Sequence, residues 1–140
     1  MLLNEHRVIR READSIVIAG TENDGKPPFL LRADLPKALK GVSKSTFVVM
    51  LQHDPSAWER NILPHSHAQL TLSGHTHGGQ ISLFGLRPTR FSYKQDKGLY
   101  TQGKRSLFVS SGLGGVVSFR FGVPPEVVVI TLRRGKVAER

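Results

Sequence analysis

The apolar run "LTLSG" at 70–74 leads straight into His75-Thr76-His77-Gly78-Gly79-Gln80, and no other feature constrains this chain more. Two imidazoles and two glycines at the end of a buried strand suit a core badly, because buried polar groups need partners. They suit a ligand rim well, because glycine admits positive φ and close approach of the backbone. A second apolar run, "TFVVMLQ" at 46–52, ends on His53. Between the two lies "DPSAWERNIL", which reads as a short helix with Pro55 in its first turn and Trp58, Ile62 and Leu63 on one face. If that helix joins the strands as parallel neighbours, their C-terminal ends share one sheet edge, the edge at which open α/β sheets hold ligands. The pattern nominates His53, His75 and His77 as metal ligands, since neutral imidazole suits Zn, Mn and Fe.

The rest of the donor inventory is thin. The chain has no cysteine, so thiolate sites and disulfides are excluded. Its aspartates are 14, 24, 34, 54 and 96, and none falls in a typical ligand pattern. Ser73, Thr76 and Gln80 are placed to hydrogen-bond around a metal site, and Asp54 is placed either to orient an imidazole or to cap the following helix. Gly78 and Gly79 are expected to let substrate approach. His65 and His67 follow Pro64 in a polar connection and read as surface residues, and His6 reads as structural.

The remaining pattern is that of one domain of mixed α/β (α+β) class, a layered β-sheet with flanking helices. Strands are expected at 7–10, 16–19, 46–53 and 68–74, and then at "QISLFG", "GLYTQG", "RSLFVSSG" and "EVVVITLRRG". "TENDGKPP" at 21–28 is turn chemistry, and "DLPKALKGV" is a short helix capped by Asp34 and ended by Gly41. The apolar runs are strand-sized, far short of the ~20 residues that cross a bilayer, and no signal peptide pattern is visible. Charge is uneven. Residues 1–80 carry 9 Lys/Arg against 8 Asp/Glu, whereas residues 81–140 carry 11 against 3. Such a basic section favours an anionic partner, with Arg87, Arg90, Lys94 and Arg120 as candidates to line its approach.

"LQHDPSAW" followed by "LTLSGHTHGGQISL" resembles the C-terminal half of calcineurin-like metallophosphoesterases, in particular bacterial membrane-associated phosphohydrolases. "LLNEH", "IVIAGTEND", "GLYTQG", "LFVSSGLGG" and "FRFGVPPEVVVITL" extend the likeness over nearly the whole chain. The resemblance implies a β-sandwich of which residues 1–140 are the C-terminal portion. It implies two divalent metals (Mn, Zn or Fe), with His53 and His75 on one and His77 on the other. His75 and His77 would also take part in catalysis, and Arg120, Gly78 and Gly79 would bind substrate. The family's other ligands lie in Asp-x-His, Gly-Asp-x-x-Asp and Gly-Asn-His motifs, none of which occurs in this chain. Asn4 does not stand in for the last of these, and Ser118 departs from the proline that relatives carry before the arginine matched by Arg120. Two divalent ions about 4 Å apart repel strongly without a bridging anion. The expectation is therefore a phosphoesterase part that is weakly active or inactive alone, and whose sheet exposes an apolar face.

The expected partners are an anionic phosphate-ester substrate, a missing N-terminal half or a second copy, and a nearby membrane surface. Full-length relatives are expected in the cytoplasm or at the membrane. The alternative function is a non-catalytic metal- or phosphate-binding module. Nucleic acid is disfavoured, because the basic section is β-rich and lacks a recognition helix or an aromatic RNA-binding motif.

Overall fold

Hydrophobic patterning places six strands in one mixed sheet in the computed structural model, which describes residues 1–25 and 31–134. The strands are β1 (Glu5–Arg11), β2 (Asp14–Gly20), β3 (Phe47–Leu51), β4 (Leu70–Ser73), β5 (Gly98–Gln102) and β6 (Arg105–Val109). Their order across the sheet is β1-β2-β3-β4-β6-β5. The four central strands run parallel, and an antiparallel hairpin closes each edge. Part of the turn expected at 21–28 lies outside the described residues.

The side chains of alternate residues divide the sheet into two unlike faces. Val17, Ala19, Val48, Met50, Leu107 and Val109 are buried on one face, beneath Leu35 of helix α1 (Leu35–Ala38) and beneath Trp58 and Ile62 of the β3–β4 connection. Asp34 caps α1 as expected: its side chain accepts the Lys37 N–H at 2.9 Å. The β3–β4 connection is a π-helical turn, Trp58–Ile62, that continues into α2 (Leu63–His65). Pro64 has no N–H to return to this turn. Arg105 finishes the helix end from β6, donating to the carbonyls of Ile62, Leu63 and Ala68 at 2.6–2.9 Å. The Ile62 carbonyl also accepts the Ser66 N–H and hydroxyl, at 3.1 and 2.7 Å.

The other face is far more open. Phe47 and Leu51 at the two ends of β3 are more than a third exposed, and Ile16, Ile18, Leu70 and Leu72 are only half-buried. A concavity of about 870 Å³ opens at this end of the sheet, lined in part by Leu2, Leu3, Leu51, Leu72 and His53.

Two expected strands are absent. "QISLFG" reduces to single bridges, Ile81 with Phe121 and Leu83 with Leu86. The reason is local: Gln80, Phe84 and Gly85 all take positive φ, and Phe84-Gly85 turn the chain back between Leu83 and Leu86. "EVVVITL" joins no ladder among the described residues. Val127 and Val129 are 76% and 89% exposed, against 37% and 40% for Val128 and Ile130, so the period-two alternation survives without pairing. No helix among the described residues is long and apolar enough to cross a membrane.

Leu107 is fully buried and Leu99 is 65% exposed on the adjacent strand. Urea unfolding of Leu107→Ala is expected to show a loss of about 2–5 kcal/mol, whereas Leu99→Ala should cost no more than ~0.5 kcal/mol.

Candidate functional site

The β3–β4 pairing builds the site. Leu51 lies opposite Leu72 in the parallel register. One step beyond the strands, the Gly74 N–H donates to the His53 carbonyl at 3.1 Å, so the two histidine-bearing ends leave the sheet together. The imidazoles of His53 and His75 meet edge to face, with ring centroids 5.1 Å apart and an interplanar angle of 88°. His77, two residues on, is near enough to act electrostatically on His53. Partial burial of the ring, then His75 and His77 beside it, hold the His53 pKa below its ordinary value against the opposing pull of Asp54. His53 is thus neutral at pH 7, the form in which imidazole ligates metals.

Asp54 stands between the turn after β3 and the His75 ring. One oxygen accepts the Ser56 N–H at 2.8 Å, beginning the turn after β3. The other is buried, has no hydrogen-bond partner, and lies 3.8 Å from His75 Nε2. Tyr93 OH lies 2.7 Å from the same nitrogen.

The loop after β4 is held in an uncommon backbone conformation. His75, His77 and Gln80 have φ of 68°, 51° and 57°. Non-glycine residues in this region cost of order 1–3 kcal/mol each unless their surroundings enforce it. Here they do. Thr76 Oγ donates to the Asp96 carbonyl at 2.5 Å and accepts the Gly78 N–H at 3.2 Å. Gln80 donates to the carbonyls of Val117 and Phe119, both at 2.9 Å, and accepts the N–H groups of Val116 and Val117. Gly78 and Gly79 sit at φ 61° and 78°, and a Cβ on either would meet Val123 at 2.8 Å or Thr89 at 2.9 Å. In the structure that space is taken by the protein's own side chains.

Arg120 also faces inward. Its guanidinium donates to the carbonyls of His77, Ser111, Gly112, Gly114 and Val123, clamping the histidine loop to the segment after β6. Of the other basic candidates, Arg87 pairs with Asp96, Lys94 pairs with Glu59, and Arg90 is exposed. Most of the expected cationic approach is therefore engaged within the protein. His6 bonds the Ala38 carbonyl at 2.8 Å, and His65 is exposed. His67 differs from expectation, since its Nε2 is enclosed and has no hydrogen-bond partner. Asn4 is consumed by Glu22, Arg32 and Asp34, which it ties to the N-terminus.

Two residues of the site carry no sequence signal of their own. Tyr93 and Asp96 lie in "FSYKQDKG", a polar stretch without periodicity that the fold lays against the histidine loop.

This arrangement fits the imidazole share of a metal site. It supplies a neutral His53, His75 beside it, His77 close by, and a buried carboxylate oxygen behind His75 of the kind that orients a metal-bound imidazole. Among the described residues, however, no three His, Asp or Glu side chains gather tightly enough to hold an ion.

The fold is a mixed α/β sheet with histidines at the C-terminal ends of two parallel strands, and comparison with known proteins takes the classification further. No family model and no solved structure matches the chain. An uncharacterized metallophosphoesterase of Aquifex aeolicus is 35% identical over 136 residues, which is 91% of this chain and 51% of that protein. Phosphodiesterase YaeI of Escherichia coli is 29% identical over 140 residues, which is 94% of this chain and 47% of that protein. UDP-2,3-diacylglucosamine pyrophosphatase LpxG of Chlamydia muridarum is 30% identical over 117 residues, which is 73% of this chain and 34% of that protein. The chain belongs to the metallophosphoesterase superfamily. It spans about half the length of the Aquifex and Escherichia relatives it matches, and less of the Chlamydia one.

The Asp96 carboxyl gives the site a pH dependence. Burial opposes its ionisation, but the Arg87 guanidinium, with Thr89 and Tyr100, outweighs burial and holds the pKa below its ordinary value of 3.8. A depressed carboxyl stabilises the fold above the unfolded pKa, and that contribution disappears as pH falls through the folded one. The stability gap between the wild type and Asp96→Asn, measured by urea unfolding, is expected to be full above about pH 5 and to close on acidification below 3.8.

Proposed function

We propose that this chain carries the histidine-bearing part of a metal-dependent phosphoesterase site, hydrolysing phosphomonoesters or phosphodiesters once carboxylate ligands from outside residues 1–140 complete it. The observation that carries the reading is the edge-to-face meeting of His53 and His75 at adjacent parallel strand ends, in a chain whose relatives are named for phosphoester hydrolysis. His53, His75 and His77 would hold divalent ions such as Mn, Zn or Fe. Such ions, when bound, polarise phosphoryl oxygens and supply hydroxide at neutral pH.

The chain's own residues prepare for this in three ways. His53 is kept neutral. The hydroxyl of Tyr93 bonds the His75 ring, and the Asp54 carboxylate lies 3.8 Å from the same nitrogen. Arg120, through the His77 carbonyl, anchors the far end of the loop. Because Nε2 of His75 is engaged by Tyr93, ligation through it requires Tyr93 to withdraw, and ligation through Nδ1 does not. Arg120 contributes to substrate binding only if the loop releases some of its donors, and Gly78 and Gly79 admit substrate only on the side away from Val123 and Thr89.

The open sheet face and the concavity beside His53 mark where the completing segment would pack, with apolar contacts to Leu51 and Leu72. The names of the relatives favour a phosphate-ester substrate as the partner, with a membrane surface as a further neighbour in longer relatives. This reading predicts that the chain alone hydrolyses a chromogenic phosphodiester with Mn²⁺ at a rate near background. Mixing it with the part of the Aquifex relative that it does not match should restore turnover. In that mixture His75→Ala should lower the rate by at least about 100-fold, since even residues that only support a metal ligand cost 10–100-fold. Saturable Mn²⁺ binding with no turnover in the mixture would instead favour a non-catalytic metal-binding module. Turnover by the chain alone comparable to an intact relative would contradict the incompleteness of the site.

A further inference from the structure

The segment that closes over the histidine loop is itself closed by one ion pair. Arg87 stands at the start of the turn Pro88–Phe91, and Asp96 stands two residues before β5. Arg87 Nε and Nη2 reach the two oxygens of Asp96 at 2.6 and 3.0 Å, the two-pronged geometry that makes Arg–carboxylate pairs directional. Asp96 is fully buried. Thr89 and Tyr100 donate to the same carboxylate, both at 3.3 Å, and the Asp96 N–H donates to Tyr100 OH at 3.1 Å.

Two contacts to the histidine loop depend on this closure. Tyr93, inside the closed segment, meets His75. The Asp96 carbonyl receives the hydroxyl of Thr76, the residue between the two histidines. Thr89 further packs where a Cβ of Gly79 would lie, and Lys97 where one of Gly78 would lie.

We propose that the Arg87–Asp96 pair positions the histidine loop: by closing residues 87–96 it holds Tyr93 against His75 and the Asp96 carbonyl against Thr76, fixing the His75 ring and the left-handed backbone on either side of Thr76. Neither Arg87 nor Asp96 touches substrate in this account, and both act through Tyr93 and Thr76. The functional consequence rests on the assignment of His75 and His77 to the phosphoesterase site, but the geometric claim stands apart from it.

Long-range ¹H–¹⁵N spectra of the imidazoles of the full chain test the claim. In the wild type His75 is expected to show a single tautomer and narrow lines. Asp96→Asn and Arg87→Lys should shift and broaden His75 and His77, with His75 moving toward its position in Tyr93→Phe. His6, which bonds the Ala38 carbonyl, should not move. Thr76→Val removes one hydroxyl without breaking the ion pair, so it should shift the same two histidines by less. It also carries the test if the ion-pair variants fail to fold. The proposal is overturned if His75 and His77 keep their wild-type resonances in Thr76→Val and in whichever ion-pair variants fold. It is equally overturned if all six imidazoles move together, the mark of a general loosening. Metal takes no part in this readout, so failure to bind Mn²⁺ would sink the phosphoesterase reading and leave this one intact.

Discussion

The parallel pairing of β3 with β4 is the constraint on which the rest of the site depends. Antiparallel strands would send His53 and His75 to opposite edges of the sheet. Parallel strands need a crossover, and the chain supplies one in the eighteen residues between Leu51 and Leu70, which include Trp58 and also cover the core. Packing and function are joined at that point. Trp58 and Ile62 bury themselves against Met50 and Val48, which holds the crossover down and sets the register in which Leu51 faces Leu72. The hydrogen bond from Gly74 to the His53 carbonyl extends that register one step past the sheet.

Beyond the sheet edge, polar contacts take over from hydrophobic burial. The histidine loop contains three non-glycine residues with positive φ, and side-chain hydrogen bonds to backbone groups hold it there from several directions. Thr76 binds the Asp96 carbonyl, Gln80 binds the 116–119 segment, and Arg120 binds five carbonyls. The residues with the strongest hydrogen-bonding capacity thus shape the loop. The two faces of the sheet follow a similar division. The helical face is closed and dry, while the other carries half-exposed aliphatic residues and an open concavity next to His53. An unpaired β-branched segment, 126–132, leaves backbone donors and acceptors without a ladder, a condition that favours pairing with another strand.

Much of this was legible in residue pattern. Runs such as "FVVML" and "SLFV" read as strands, the Asp34 and Pro36 signals place α1, and the glycines around His75 and His77 mark the loop. A helix-sized connection was compatible with parallel β3 and β4, and the structure pairs them so. What the pattern could not show was long-range or conformational. "QISLFG" has a strand's composition, but Phe84 and Gly85 adopt turn conformations that propensity does not encode. "EVVVITL" has a strand's alternation, but a ladder needs a neighbour, and neighbours are a property of the fold. The basic residues were read as one approach to an anion because sequence sums their charge. In space Arg87 is neutralised by Asp96 and Arg120 is consumed by carbonyls. Tyr93 lies eighteen residues from His75 with nothing in its surroundings to announce the contact.

The most direct measurement is of the His53–His75 contact itself. Nuclear Overhauser spectra of the chain with labelled histidines should show cross-peaks between the ring protons of His53 and His75, and between His75 and the Tyr93 ring, as centroid separations of 5.1 and 5.4 Å require. If His53 instead showed contacts only to Leu2 and Leu3, with none to His75, the strand ends would not converge and the metal-site reading would fail with them.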